Sequence, residues 1–202
     1  MNRFLLIIFF LVPSAAFADD YLDFSQAVDG MNTLQGNFTQ RVLDNKNNII
    51  QDVEGSFLFK KPNLFKWNYD YPFKSQIICD GELLYLYDPD LKQVVISPLQ
   101  KLGGVSPAML LVSSSASNYF NIHRLENDSS EQVFEAIPKN LGDTSFKKVF
   151  IHFDRGLLSQ MHILDNLNHR TEIFFKKLKS NTEINEASFL FNMPENVDVI
   201  KN

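Results

Sequence analysis

Residues 55–95 most constrain what this chain can fold into: GSFLFKKPNLFKWNYDYPFKSQIICDGELLYLYDPDLKQVV. Phe57 and Phe59 alternate with Ser56, Leu58 and Lys60, and beyond Lys61-Pro62-Asn63 the residues Phe65, Trp67 and Tyr69 share one face while Lys66 and Asn68 take the other. A period of two is the mark of a strand with one apolar and one wet face. Asp80-Gly81 between apolar runs predicts a two-residue hairpin of type I′, which needs positive φ at both positions. Leu84 and Leu86 alternate with Tyr85 and Tyr87, and Asp88-Pro89-Asp90 supplies the next turn. The stretch therefore predicts an antiparallel meander with an unusually aromatic face.

The N-terminus reads as an address. A single early cation, Arg3, precedes an apolar run over residues 4–12, and Ala16-Phe17-Ala18 places small residues where a signal peptidase reads. The run is too short to span a bilayer comfortably. Residues 1–18 are thus expected to be a signal peptide cleaved after Ala18, leaving 19–202 as one domain. No cysteine follows the run, so no lipid anchor is expected. The net charge is −5, with no basic cluster, which argues against nucleic acid and against electrostatic docking on anionic lipid. Cys79 is the single cysteine, so the fold must be held without an internal disulfide. Its neighbour Asp80 disfavours a reactive thiolate.

Residues 20–34 predict an amphipathic helix, because Phe24, Ala27, Val28, Met31 and Leu34 follow the i, i+3, i+4, i+7 spacing. It either covers a sheet face or acts as a movable lid. Strands are expected over 36–42 and 49–60, on either side of a polar turn at 44–48. Ser106 as N-cap and Pro107 at the first helical position predict a second helix through Leu111, ending over 113–118. Further strands are expected over 119–125, 131–137, 146–153, 157–164, 169–178 and 187–191. Ten or eleven closely spaced strands with two principal helices suggest a barrel or strongly curved sheet.

The usual catalytic and metal patterns are missing. His123, His152, His162 and His169 make no metal-ligand spacing; His152 and His162 are expected to face each other across the turn at Gly156. There is no G-x-S-x-G and no glycine-rich phosphate loop. These residues favour a binding protein over an enzyme, with no metal and no cofactor. The aromatic face is then either an ordinary core or the wall of an apolar cavity.

Gly36-x-Phe38-x-Gln40, Gly55-x-Phe57 and Lys61-Pro62-Asn63-Leu64-Phe65-Lys66-Trp67 resemble the LolA family of periplasmic lipoprotein carriers. So do Asp80-Gly81, Tyr87-Asp88-Pro89, Gln93-Val94, Ser106-Pro107-x-x-Leu110-Leu111, Phe189-x-Phe191-x-x-Pro194 and Val197-Asp198-Val199-Ile200. The resemblance runs from about residue 21 to 200. It implies a mainly β fold: an unclosed antiparallel β-barrel covered by an α-helical lid. It implies a monomeric carrier in the periplasm that takes acylated lipoproteins from an inner-membrane ABC transporter (LolCDE-like) to an outer-membrane receptor (LolB-like). Candidates for the acyl-chain cavity are Phe24, Val28, Met31, Phe57, Phe65, Trp67, Met109 and Leu110. Many members of the family carry Arg, implicated in lid closure and cargo transfer, where this chain has Lys61, which keeps the charge without the planar fork of donors. The alternatives are an envelope sensor domain of related fold that binds lipid or protein without shuttling it, and a hydrolase.

The leader makes a direct prediction. Intact-mass measurement on protein from the periplasmic fraction should give a chain beginning at Asp19. A membrane-bound species retaining Met1, or one carrying a diacylglycerol mass, would overturn it.

Overall fold

The structure is a computed structural model, and it describes residues 17–99, 107, 109–112, 116–125, 131–140 and 144–201. A helix, α1 (Phe17–Asp29), leads into a six-strand meander: β1 (Thr33–Leu43), β2 (Ile49–Lys60), β3 (Leu64–Tyr71), β4 (Ser75–Asp80), β5 (Leu83–Asp88) and β6 (Gln93–Pro98). Two one-turn helices follow, α2 (Met109–Val112) and α3 (Ala116–Tyr119). A second meander then runs through β7 (Phe120–Leu125), β8 (Glu131–Pro138), β9 (Phe146–Asp154), β10 (Leu157–Asp165) and β11 (Arg170–Ser180). A 3-10 helix (Glu186–Phe189) and β12 (Asp198–Lys201) complete the described chain.

All twelve strands belong to one sheet, in the order β12-β6-β5-β4-β3-β2-β1-β11-β10-β9-β8-β7. Pairing is antiparallel except between β12 and β6. The two meanders join where β1 pairs with β11, Phe38 standing opposite Phe175 and Gln40 opposite Ile173. The outermost strands, β12 and β7, do not pair with each other. The expected mainly β, unclosed architecture is present.

Local chemistry explains the turns. Asp44 Oδ1 accepts from the amides of Lys46 and Asn48 at 2.8 Å each, and Asp88 Oδ1 does the same for Asp90 and Leu91 at 3.0 Å. These are the Asx turns that make aspartate a turn residue. The β4–β5 hairpin differs from the expectation by one position. Its loop residues are Gly81 and Glu82, and only Gly81 has positive φ, +101°. That is the demand of a type II′ rather than a type I′ turn. Asp80 ends β4 and accepts from Glu82 N and Leu83 N through Oδ1.

Three elements correct the sequence reading. First, α1 stops at Asp29 instead of continuing to Leu34. The poor helix former Gly30 follows, and the side chain of Asn181 captures the freed backbone, donating to Gly30 O at 2.8 Å and accepting from Asn32 N at 2.9 Å. Met31 and Leu34 are still buried, Leu34 as a strand residue of β1. Second, among the described residues the helix expected through Leu111 comprises Met109–Val112 (α2), and Ala116–Tyr119, where its end was expected, is helical again as α3; Ser106, Ala108 and residues 113–115 lie outside the described residues. Third, 187–191 is not a strand. Asn185 Oδ1 accepts from Ala187 N at 2.9 Å and caps a 3-10 helix there.

The inner face of the sheet carries the main core. Trp67 stacks on Phe57 (centroids 5.5 Å apart) and lies 4.3 Å from Phe38, while Phe57 meets Phe175 edge-on at 5.3 Å. α1 adds Phe24, which meets Phe134 of β8 edge-on at 5.3 Å, and Asp23 pairs with Arg124 of β7. The C-terminal segment returns over the outer face, where Phe191 stacks on Tyr85 at 5.0 Å and Phe189 is fully buried.

Gly55 lets β2 and β3 approach closely at this core. A Cβ there would stand 1.9 Å from Asn68 O and 2.9 Å from the Phe38 ring, where the β2–β3 register shifts. A backbone neighbour cannot move aside as a flexible side chain can. Gly55→Ala should cost about 3 kcal/mol or more and lower Tm by roughly 10 °C. At Gly30 the nearest atom to a built Cβ is 4.0 Å away, so Gly30→Ala should leave Tm within about 2 °C. Thermal unfolding followed by circular dichroism compares the two; equal effects would mean that β2 and β3 relax freely around position 55.

Candidate functional site

A cavity of about 320 Å³ lies against the inner face of the sheet. β3 and β4 give it Phe65, Trp67, Tyr69 and Ile77, β10 and β11 give it Met161, Ile163, Thr171 and Ile173, and Leu111 of α2 and Phe146 of β9 contribute from other sides. Gln40 of β1 and Asp165 at the end of β10 add polar groups. Period-two alternation explains the set: Phe65, Trp67 and Tyr69 point one way from β3, as do Met161 and Ile163 from β10. Two smaller hollows adjoin. One shares Gln40 and Tyr69 with the cavity and reaches Phe73; the other shares Tyr69 and Ile77 and reaches Leu91.

Of the residues that the sequence points to, Phe65 and Trp67 line this cavity. Phe24, Val28, Met31, Phe57 and Leu110 are buried in the packed core around it. The side chain of Met109 lies outside the described residues. Ile77, Leu111, Met161, Ile163 and Ile173 escaped the sequence reading, as did the polar Gln40. Alternation was visible in β10 and β11, but nothing local says that β11 lies beside β1.

Lys61 lies where the β2–β3 loop meets α1. Its Nζ donates to Val28 O at 2.9 Å and stands 3.1 Å from Asp29 Oδ1. A cation that binds a terminal carbonyl is favourable at the negative end of a helix dipole. The Lys61 side chain is 16% exposed, the Asp29 side chain 69%, so the carbonyl bond is the better sheltered of the two. Two residues on, the Asn63 amide donates to Val112 O, the last carbonyl of α2, at 3.3 Å. One loop thus touches the C-terminal ends of both helices.

Burial sets the character of the buried titratable groups. Desolvation, helped by Asp80 and opposed by a Gly81 backbone hydrogen bond, pushes the buried Cys79 thiol up to about 11, which keeps it protonated and unreactive. His152 and His162 face each other on adjacent strands with rings 4.7 Å apart. Desolvation first, and His152 second, lower the His162 pKa. Among the described residues no group of three or more His, Cys, Asp or Glu could hold a metal ion, and no helix is long and apolar enough to cross a membrane.

The fold and sequence have relatives. The family model described as outer membrane lipoprotein carrier protein LolA matches residues 29–192. An outer-membrane lipoprotein carrier protein from Methylobacillus flagellatus is 33% identical over 196 residues, covering 96% of this chain and 95% of that one. One from Nitrosomonas europaea is 34% identical over 171 residues, covering 84% and 82%. Among solved structures, a LolA superfamily protein from Nitrosomonas europaea superposes with a TM-score of 0.53 at 12% identity, covering 88% of this chain and 99% of that one, which speaks to the fold alone. With its open twelve-stranded sheet and a match spanning most of its length, the chain belongs to the LolA family of outer membrane lipoprotein carrier proteins.

Proposed function

We propose that this protein is an acyl-chain carrier of the periplasm, not an enzyme. Its leader is removed after Ala18; it accepts lipoproteins from a LolCDE-like transporter and delivers them to a LolB-like receptor. The apolar cavity inside an unclosed sheet carries the reading. Lipid chains cannot cross an aqueous compartment uncovered, and each CH₂ buried gains about 0.8 kcal/mol.

The cavity enlarges in this reading by displacement of α1. Among the described residues Phe24 and Val28 are the buried residues of α1, with Met31 just beyond its end, and exposing all three costs roughly 5–9 kcal/mol at 1.5–3 each. One acyl chain of about a dozen methylenes returns roughly 10 kcal/mol. The two magnitudes are close, so cargo can exchange with the helix in either direction. Phe24, Val28 and Met31 then serve as the lining of the loaded state, together with Phe57, Met109 and Leu110, while Phe65 and Trp67 serve both states. Lys61 is the clasp whose bond to Val28 O holds the empty protein shut.

Two measurements test this. Lys61→Leu should keep the fold and lose only about 1 kcal/mol of stability, because the pair it breaks is partly exposed. It should change cargo handling, seen as lipoprotein retained on the purified variant or reduced transfer to the receptor. Normal transfer would assign closure to other contacts. Trp67 is the chain's single tryptophan, so its emission should change saturably when an acylated peptide is added. Phe65→Glu, with its far-UV spectrum preserved, should weaken that response, since a carboxylate in an apolar pocket must be desolvated or protonated before a chain can enter. Unchanged Trp67 emission at high ligand concentration would point to a filled core instead of a container.

A further inference from the structure

The cavity wall has one polar atom with no assigned task. Trp67 is 6% exposed and lines the cavity, yet its indole Nε1 finds no hydrogen-bond partner among the described residues. Buried donors are nearly always paired, so an unpaired one calls for an explanation. Asn68 Oδ1 is in the same position, but Asn68 is not part of the cavity lining, and its Nδ2 bonds Ser56 Oγ at 3.3 Å.

Two further polar groups stand beside Trp67. Tyr69 is the next inward residue along β3, and Gln40 projects from β1; both line the cavity and the hollow leading to Phe73. Burial is the largest influence on the Tyr69 phenol and raises its pKa, while the Gln40 amide and the Trp67 indole N–H act the other way. The indole N–H thus lies within reach of the phenol oxygen, though the contact falls short of full hydrogen-bond geometry. Tyr69, protonated at neutral pH, is itself a donor.

We propose that Trp67 Nε1, with Tyr69 and Gln40, forms a carbonyl-binding subsite for the ester or amide group at the head of a bound acyl chain. This rests on the carrier reading above. A hydrocarbon tail satisfies none of these donors, whereas an acyl carbonyl offers two lone pairs and brings no charge. The layout sets a direction. The tail runs among Phe65, Phe146, Met161 and Leu111, the carbonyl stops at Tyr69 and Gln40, and the rest of the cargo leaves through the hollow beside Phe73. Trp67 Nε1 is covered in the empty protein, so the carbonyl reaches it only as the wall beside Tyr69 and Gln40 opens on loading.

Displacement of a fluorescent fatty acid from the full protein tests this, with monopalmitoylglycerol compared against 1-O-hexadecylglycerol. The two probes carry tails of equal carbon count, joined to glycerol through an ester in the first and an ether in the second. The ester should bind about five-fold more tightly, the factor that one net neutral hydrogen bond supplies. Trp67→Phe keeps an aromatic ring and removes the donor; it should bring the ester-to-ether ratio close to one, and because both probes lose the same wall contacts the ratio cancels any common change in affinity. Tyr69→Phe should reduce the ratio in part. Equal binding of the two probes by the unmodified protein overturns the subsite, even if Trp67→Phe does not fold, and leaves the carrier reading standing. A ratio that survives Trp67→Phe also overturns it. Failure of both probes to bind removes the carrier reading, and the subsite with it.

Discussion

Everything in this molecule depends on the pairing of β1 with β11. Each meander is local and could form from near neighbours, but each alone is a half-covered sheet. Only when β1 adds β11 on the side away from β2 do Phe38, Phe57 and Trp67 come to face Phe175 and Ile173. That one ladder closes more than a hundred residues of chain, so it carries most of the loop-closure cost of the fold. Its register is protected by an irregularity beside Gly36, where a Cβ would meet Lys176 O at 2.8 Å and Leu178 at 2.9 Å. A one-residue slip would turn the inner residues outward.

Helix α1 depends on the same ladder. Its exit is held by Asn181, immediately beyond β11, and by Thr33 Oγ1 donating to Thr182 O at 2.7 Å. On its flank Asp23 and Phe24 meet β7 and β8. Lys61 approaches from the β2–β3 loop. The helix is thus moored to groups from both meanders, and any change in how they sit together is felt at its C-terminal end.

The β2–β6 meander was readable because aromatic alternation and aspartate turns are local signals, and Phe57, Phe59, Phe65 and Trp67 face inward as their spacing says. The end of α1 was not, because Met31 and Leu34 obey the helical period by coincidence and are buried for other reasons. The group that ends the helix, Asn181, is some 150 residues away in the chain. The cavity was half legible for a related reason. The β3 wall announces itself, whereas Met161, Ile163 and Ile173 become wall residues only through a strand order that no local pattern encodes. Lys61 was legible through the family resemblance, and its partner Val28 O is a backbone atom that side-chain patterns do not reveal.

The missing ladder between β7 and β12 has a mechanical consequence. In a closed barrel the circumference is fixed by strand number and stagger, and the interior cannot grow without breaking backbone hydrogen bonds. Here, among the described residues, the sheet ends at β12 and β7 without a ladder between them, so the girth is set by side-chain packing and sheet twist. Spreading the margins stretches no ladder. Widening along that one seam therefore breaks no backbone hydrogen bond between strands.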